Sequence, residues 1–435
     1  MKTLCISKIL RASSMLALIL AAGPARADRP VIDLSGGRVQ ALPLALPPAL
    51  GAIGPGAQVV EVLGADLDRS GLFKLLDPKS FLADPHESTE AAKIDFTRWT
   101  AVGAQALVKA VATLDGDTVK VDFHLYDPAK GVEVLHGSYS APSQGVRQIA
   151  HRFADDVVNY FTHERGDFET RIAFVRKTTG GKQIVVADSD GYGETALTGA
   201  AINLLPAWAP DGRTIAFTSF RDGAAHIYTV DAFSRAVHAL VRMGDYASGA
   251  VYAPDGLRFV FSASLEDNTD IYISQADGSA GRRLTTGKAI DTSACWSPDG
   301  KQLAFISDRA GTPQVYTMNI DGTNQRRITF QGNYNQEPAW SPKGDVIAFS
   351  GRDEKRSFDI YTIALGTGKI TRLTQHEGTN EKPAWSPNGR HLLFDSTRSG
   401  KRQIWEMSAD GTAPRQVTNE KLGASDPSWG PLSVR

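Results

Sequence analysis

The segment CWSPDGKQLAFISD, residues 295–308, sets a Trp, a Pro-Asp-Gly corner and a short apolar strand in a row. Variants of it recur as WAPDGRTIAFTS from Trp208, YAPDGLRFVFSA from Tyr252, WSPKGDVIAFSG from Trp340 and WSPNGRHLLFDS from Trp385, with a last fragment, WGP, at Trp429. The leading aromatics fall 44, 44, 44, 45 and 44 residues apart. One copy alone predicts a hairpin; a period this regular in the mid-forties predicts a repeat architecture.

Each unit reads as four strands. From Trp296 these are ACWS, KQLAFIS, PQVYTMNI and QRRIT, short β-branched and aromatic runs separated by Gly, Asp, Pro and Asn corners. In each corner Pro presets φ, Asp suits the next position, and Gly212, Gly256, Gly300, Gly344 and Gly389 tolerate the left-handed conformation that follows. A four-stranded sheet cannot bury both faces alone, so units must stack, with the recurring aromatic packed between them. This is the pattern of propeller blades. Residues 171–198 match strands two to four of a unit and residues 425–434 match the first, so the two pieces complete one blade. Six blades result, and the C-terminal strand covers an edge that would otherwise stay unpaired.

The fold class predicted for the whole chain is α+β multidomain: a small N-terminal α/β domain (28–165) followed by a six-bladed β-propeller (166–435) closed by strand 425–434. Residues 1–27 read as a secretory signal peptide, with Lys2, Lys8 and Arg11 ahead of a short apolar run and a small-x-small site at Ala25-Arg26-Ala27. Without that leader the chain has 43 Lys+Arg against 48 Asp+Glu, a net charge of -5, which argues against nucleic acid as a partner. Cys5 falls in the leader, so no disulfide is expected. Cys295 occupies the slot that Ala207, Val251, Ala339, Ala384 and Ser428 fill in other units, and so reads as a buried small residue. In the N-terminal domain, residues 59–76 suggest a strand turning into a helix. Residues 106–127 read as a hairpin around Asp115-Gly116, and Val146, Ile149, Phe153, Val157 and Phe161 stand at helical spacing.

In an up-and-down blade, successive turns lie on alternate faces. The SPDG corners and the later Asp-Gly corners share one tight face, while the segments leading into each aromatic lie on the other, more variable one, where function is expected. Those segments feed the innermost strands, so their side chains should ring the channel mouth: Tyr246, Asp291, Thr292, Asn335, Gln336, Glu337, Asn380, Glu381 and Asp426. Asn and Asp at such positions also commonly satisfy their own loop backbone. A divalent cation held by several carboxylates in the channel is the cofactor this ring could accept; no other cofactor is expected.

Catalytic signatures are missing. Peptidases of the prolyl oligopeptidase type carry similar repeats, but their hydrolase domain needs a G-x-S-x-G elbow, and the sequence has none. It also lacks H-E-x-x-H, paired CxxC and a phosphate loop. A sugar-binding or lyase-type propeller wants aromatics at the channel mouth, where Tyr246 and Tyr334 are the candidates. A non-catalytic binding protein is the expectation.

With leader, α/β domain and blades in this order, the chain resembles the TolB family of periplasmic proteins. The segments ADLDRSGLFKLLD (65–77), RIAFVRK (171–177), DSDGYGETALT (188–198) and PQVYTMNIDGTNQRRIT (313–329) carry the resemblance. It implies a monomeric scaffold of the Tol-Pal system, supporting outer-membrane integrity and constriction at division. Pal would dock at the channel mouth, at Tyr246, Ser248, Gly249, Asp291, Thr292, Asn335, Gln336, Asn380 and Glu381. The C-terminal domain of TolA would bind an N-terminal arm (28–36) through Arg29, Pro30, Val31, Ile32, Asp33, Leu34, Ser35 and Gly36.

Overall fold

The computed structural model describes residues 40–265, 268–352 and 357–433. The leader and the arm at 28–36 lie outside these residues. From residue 171 onward the chain forms six four-stranded sheets. The unit opened by Trp296 consists of antiparallel strands Asp291–Trp296, Gln302–Ser307, Gln314–Asn319 and Arg326–Arg327. Its first corner shows why the motif repeats. Gly300 N–H donates to Ser297 O (2.9 Å) with Gly300 at φ +67°, and Asp299 Oδ1 accepts from Lys301 N (3.1 Å). Ser297 Oγ accepts from Gln302 N (2.9 Å), so the side chains close what the backbone leaves open.

Fourth strands are shorter than the sequence suggests, two or three residues in most blades. The cause is the Thr that follows. Thr198, Thr285, Thr329, Thr374 and Thr418 are buried, and their hydroxyls accept from the backbone N–H of Ile184, Ile271, Val315, Ile360 and Ile404. A hydroxyl thus takes the ladder position of a carbonyl and ends the strand.

Blade faces pack in pairs: Ile271 and Ile273 of one sheet share a core cluster with Trp296, Leu303 and Phe305 of the next. The recurring aromatics sit in these seams. Trp296 Nε1 donates to Val251 O (2.9 Å) and Trp385 Nε1 to Ala339 O (3.0 Å), each on the preceding blade. Cys295 packs in another seam beside Trp340, and burial pushes its thiol up to about 12, which leaves it inert as a nucleophile. The ring closes through strand Ala424–Trp429, paired antiparallel with Arg171–Thr178. The closing strand ends at Trp429, short of the expected 434, because its partner strand begins at Arg171, whose carbonyl accepts the last bond from Gly430 N (2.8 Å).

The N-terminal domain has a mixed sheet in the order Phe73–Leu75, Leu42–Ala45, Ala106–Asp115, Thr118–Asp127, Val132–Pro142. Helices α1 (Ile53–Arg69) and α3 (Val146–Thr162) pack against it and each other, while the short α2 (Phe96–Ala101) covers a separate cluster around Trp99. The expected strand-then-helix over 59–76 is reversed. Val59, Val62, Leu63 and Leu67 are buried at three- and four-residue spacing, which is helical, and Gly71 at φ +66° turns the chain into the strand Phe73–Leu75. The β-branched composition of that segment had favoured a strand, but packing overrode propensity.

This domain docks on the tight-corner face of the propeller. Glu164 meets Lys343 (3.4 Å) and Arg390 (3.1 Å), Asn388 Nδ2 donates to Arg165 O (3.2 Å), and His391 Nδ1 meets Asp167 Oδ2 (2.9 Å). Arg69, at the end of α1, reaches Glu406 at 3.2 Å with both side chains almost fully buried. The opposite face, with the channel mouth, stays uncovered by this domain.

Candidate functional site

Every innermost strand shifts register at the same place, just before the aromatic: between Leu204 and Ala207, Ser248 and Val251, Thr292 and Cys295, Gln336 and Ala339, Glu381 and Ala384, and Ser425 and Ser428. The residue inside each shift is left-handed: Leu205 (φ 50°), Gly249 (66°), Ser293 (55°), Glu337 (54°), Lys382 (57°) and Asp426 (56°). These are β-bulges, and five of the six bear a β-carbon in a conformation costing roughly 1–2 kcal/mol each. The bulges reach neighbouring blades. Glu337 Oε2 accepts from Lys382 N (3.0 Å) and Ser350 Oγ (3.0 Å), and Lys382 Nζ pairs with Asp426. Around the axis, innermost strands of successive blades touch one another, and the closing strand touches that of the next blade, Asn203–Trp208.

The nine positions expected at the mouth separate into two sets. Asp291, Asn335 and Asn380 are fully buried, which corrects the expectation that they face a partner. Asp291 is held by Arg309 (3.0 and 3.1 Å), Asn335 donates to Gln314 Oε1 (2.9 Å), and Asn380 donates to Asp359 Oδ1 (2.8 Å) while accepting from Arg398 (3.0 Å). They stand five residues before each aromatic; Asn335 and Asn380 lock the strand entry to the third strand of the preceding blade, and Asp291 and Asn380 bind an arginine from a loop of their own blade. Ser248 is also buried, its hydroxyl on that of Tyr246. Tyr246 is exposed, and Gly249, Thr292, Gln336 and Glu381 are half-buried at or beside the bulges. Gln336 Nε2 donates to Glu381 Oε1 (3.2 Å), joining two blades.

Charge concentrates on one side of the ring. Glu337, Glu381, Asp395 and Asp426 surround Lys382 and Arg402; Arg402 pairs with Glu381 (2.6 Å) and Asp395, whose Oδ2 accepts from Asp426 N (3.2 Å). Burial pushes Glu337 up to about 7, opposed by Lys382 and reinforced by Asp395 and Glu381. Burial likewise lifts Asp395 to about 6 against the pull of Arg402 and Lys382. Burial alone would lower Lys382, but Asp426 and Glu337 outweigh it and hold its ammonium charged. The cations these carboxylates engage are protein side chains, Lys382 and Arg402. At the other end of the channel, a space of about 550 Å³ is lined by the blade aromatics and the corner prolines.

Leu205, Ser293 and Lys382 were not among the site residues read from sequence. Their signal was present: they stand three before the aromatic, in register with Gly249, and a Gly at one copy of a repeat marks a left-handed position.

The sequence matches the family described as TolB beta propeller domain over residues 158–433 and the TolB amino-terminal domain over 30–134. Among curated relatives, the Tol-Pal system protein TolB of Anaeromyxobacter dehalogenans (strain 2CP-C) is 44% identical over 248 residues, 56% of this chain and 57% of that protein. That of Myxococcus xanthus (strain DK1622) is 43% identical over 208 residues, 47% and 48% of the two chains. The chain thus spans about half the length of the curated relatives it matches. The crystal structure of TolB from Acinetobacter baumannii superposes with a TM-score of 0.82 at 27% identity, covering 90% of this chain and 97% of that one.

Proposed function

The chain belongs to the TolB family, and on that premise we propose that it acts in the periplasm as a non-catalytic scaffold of the Tol-Pal system. Pal docks on the channel mouth, and the arm at 28–36 recruits the C-terminal domain of TolA, coupling the envelope layers during constriction. The observation that carries this reading is the ring of left-handed bulges on the face the N-terminal domain leaves open. Backbone strain repeated at one level of a rigid ring is a feature of functional surfaces. Docking uses Tyr246, Gly249, Thr292, Gln336 and Glu381 together with Ser293, Glu337 and Lys382, the last held in place by buried Asp426, since side chains from several blades are needed to cover the ~1,200–2,000 Å² of a specific interface.

The test is calorimetric titration with the soluble domain of Pal. Substituting Thr292→Arg together with Gln336→Arg should weaken binding by roughly 2 kcal/mol or more. Lys301→Glu, on the opposite face, should leave it unchanged. Equal responses from the two faces would remove the docking assignment. Deleting residues 28–36 should abolish TolA binding and leave the propeller folded.

A further inference from the structure

We propose that His151, Asp188 and Asp190 form a site for a divalent transition metal of the Zn²⁺ or Mn²⁺ class that ties the N-terminal domain to the propeller. His151 lies on α3, and the two aspartates lie at the end of propeller strand Gly181–Asp188 and in the corner after it. One ligand atom from each lies within 4.8 Å of the others.

The imidazole is the telling group. Its side chain is 3% exposed, and Nδ1 is engaged by Asp66 Oδ2 at 2.6 Å. The other nitrogen, Nε2, is buried without a hydrogen-bond partner among the described residues, so it is the nitrogen left to take a ligand. A carboxylate on one ring nitrogen, fixing the ring so that the other points at oxygen ligands, is how proteins orient a metal-binding histidine. One imidazole and two carboxylates suit Zn²⁺ or Mn²⁺ and leave a coordination position for water.

In a tetrahedral shell with bonds of about 2.1 Å, ligand atoms are roughly 3.4 Å apart. Capture therefore needs the side chains to draw in by roughly an ångström. Arg147 neutralises the carboxylates in the structure: its Nη2 pairs with Asp190 and its Nε lies 4.0 Å from Asp188. It must swing aside for a metal to enter, giving up both Asp190 and the ring of Tyr192, which lies 4.0 Å from its guanidinium carbon. Access runs through a cavity of about 850 Å³ between the domains, to which His151 and Asp188 both contribute.

Zn²⁺ titrated calorimetrically into the full mature chain should bind at one equivalent and raise its melting temperature. Asp188→Asn with Asp190→Asn should weaken that binding at least roughly tenfold, as should His151→Gln. Glu337→Gln in the channel and His136→Ala on the exposed sheet should leave it intact. If His151→Gln does not fold, the aspartate pair, which lies at the propeller rim, decides alone. Absence of uptake by the wild type, or uptake that survives the aspartate substitutions, overturns the proposal and leaves the cluster an ion-pair network centred on Arg147.

Discussion

Gly249 and Ser293 occupy the same bulge position in adjacent blades, yet only Gly249 adopts φ near +60° without a β-carbon penalty. A β-carbon added at Gly249 would meet nothing nearer than Leu205 Cδ1 at 3.8 Å. Gly249→Ala should thus cost about 1 kcal/mol through backbone strain alone, and Ser293→Gly should recover a similar amount; urea unfolding checks both, and a much larger loss for Gly249→Ala would mean a clash. Glu337 gives a second expectation at this level. Its folded value, about 7, stands above its ordinary 4.5, so the folded protein holds the proton more tightly than the unfolded chain. Stability should therefore fall as pH rises from about 4.5 through about 7. Glu337→Gln removes that term, and its stability relative to wild type should rise across the window by at most roughly 3 kcal/mol. A difference independent of pH would show that Glu337 is ionised throughout.

Strands matter here as parts of a closed circle. The strand Ala424–Trp429 is paired along Arg171–Thr178, and Trp429 Nε1 donates to Thr170 Oγ1 at 2.8 Å. Removing it exposes the edge of Arg171–Thr178 and opens a seam that includes Ile172, Phe174 and Leu393. A chain truncated after Lys421 should be insoluble or melt far below the intact protein. Melting at the intact temperature would mean that the ring does not depend on this strand. The Thr residues that end the fourth strands show the same logic in miniature, because a side chain there replaces a backbone partner and so sets where an element stops.

At the level of the two domains, charge fixes the arrangement. Arg69 and Glu406 are 5% and 2% exposed, and Arg415 shares Glu406. Arg69→Ala leaves Glu406 with one cation in place of two, at a cost of roughly 3 kcal/mol. The loss should fall on the docking of the domains, read as faster proteolysis in the linker around residues 163–170 while the propeller's own melting is retained. Unaltered cleavage would mean that the Glu164 and His391 contacts hold the domains unaided. Docking on the tight-corner face leaves the channel mouth uncovered by the N-terminal domain.

Blade period and ring closure were legible in the sequence because each depends on chain-local chemistry: Pro and Gly set a corner, alternation sets a strand, and a fixed interval repeats both. The hairpin at residues 106–127 and helix α3 were legible for the same reason. Helix α1 was misread because its β-branched residues favour a strand, and only the sheet beneath it selects the helical face. The mouth residues were half legible. Thr292 and Asp291 are adjacent in sequence, but the alternation of the strand leaves one half-buried and seals the other against Arg309. The domain interface and the meeting of His151 with Asp188 and Asp190 were not legible at all, because they join surfaces whose partners are chosen by how two finished domains pack, not by any spacing along the chain.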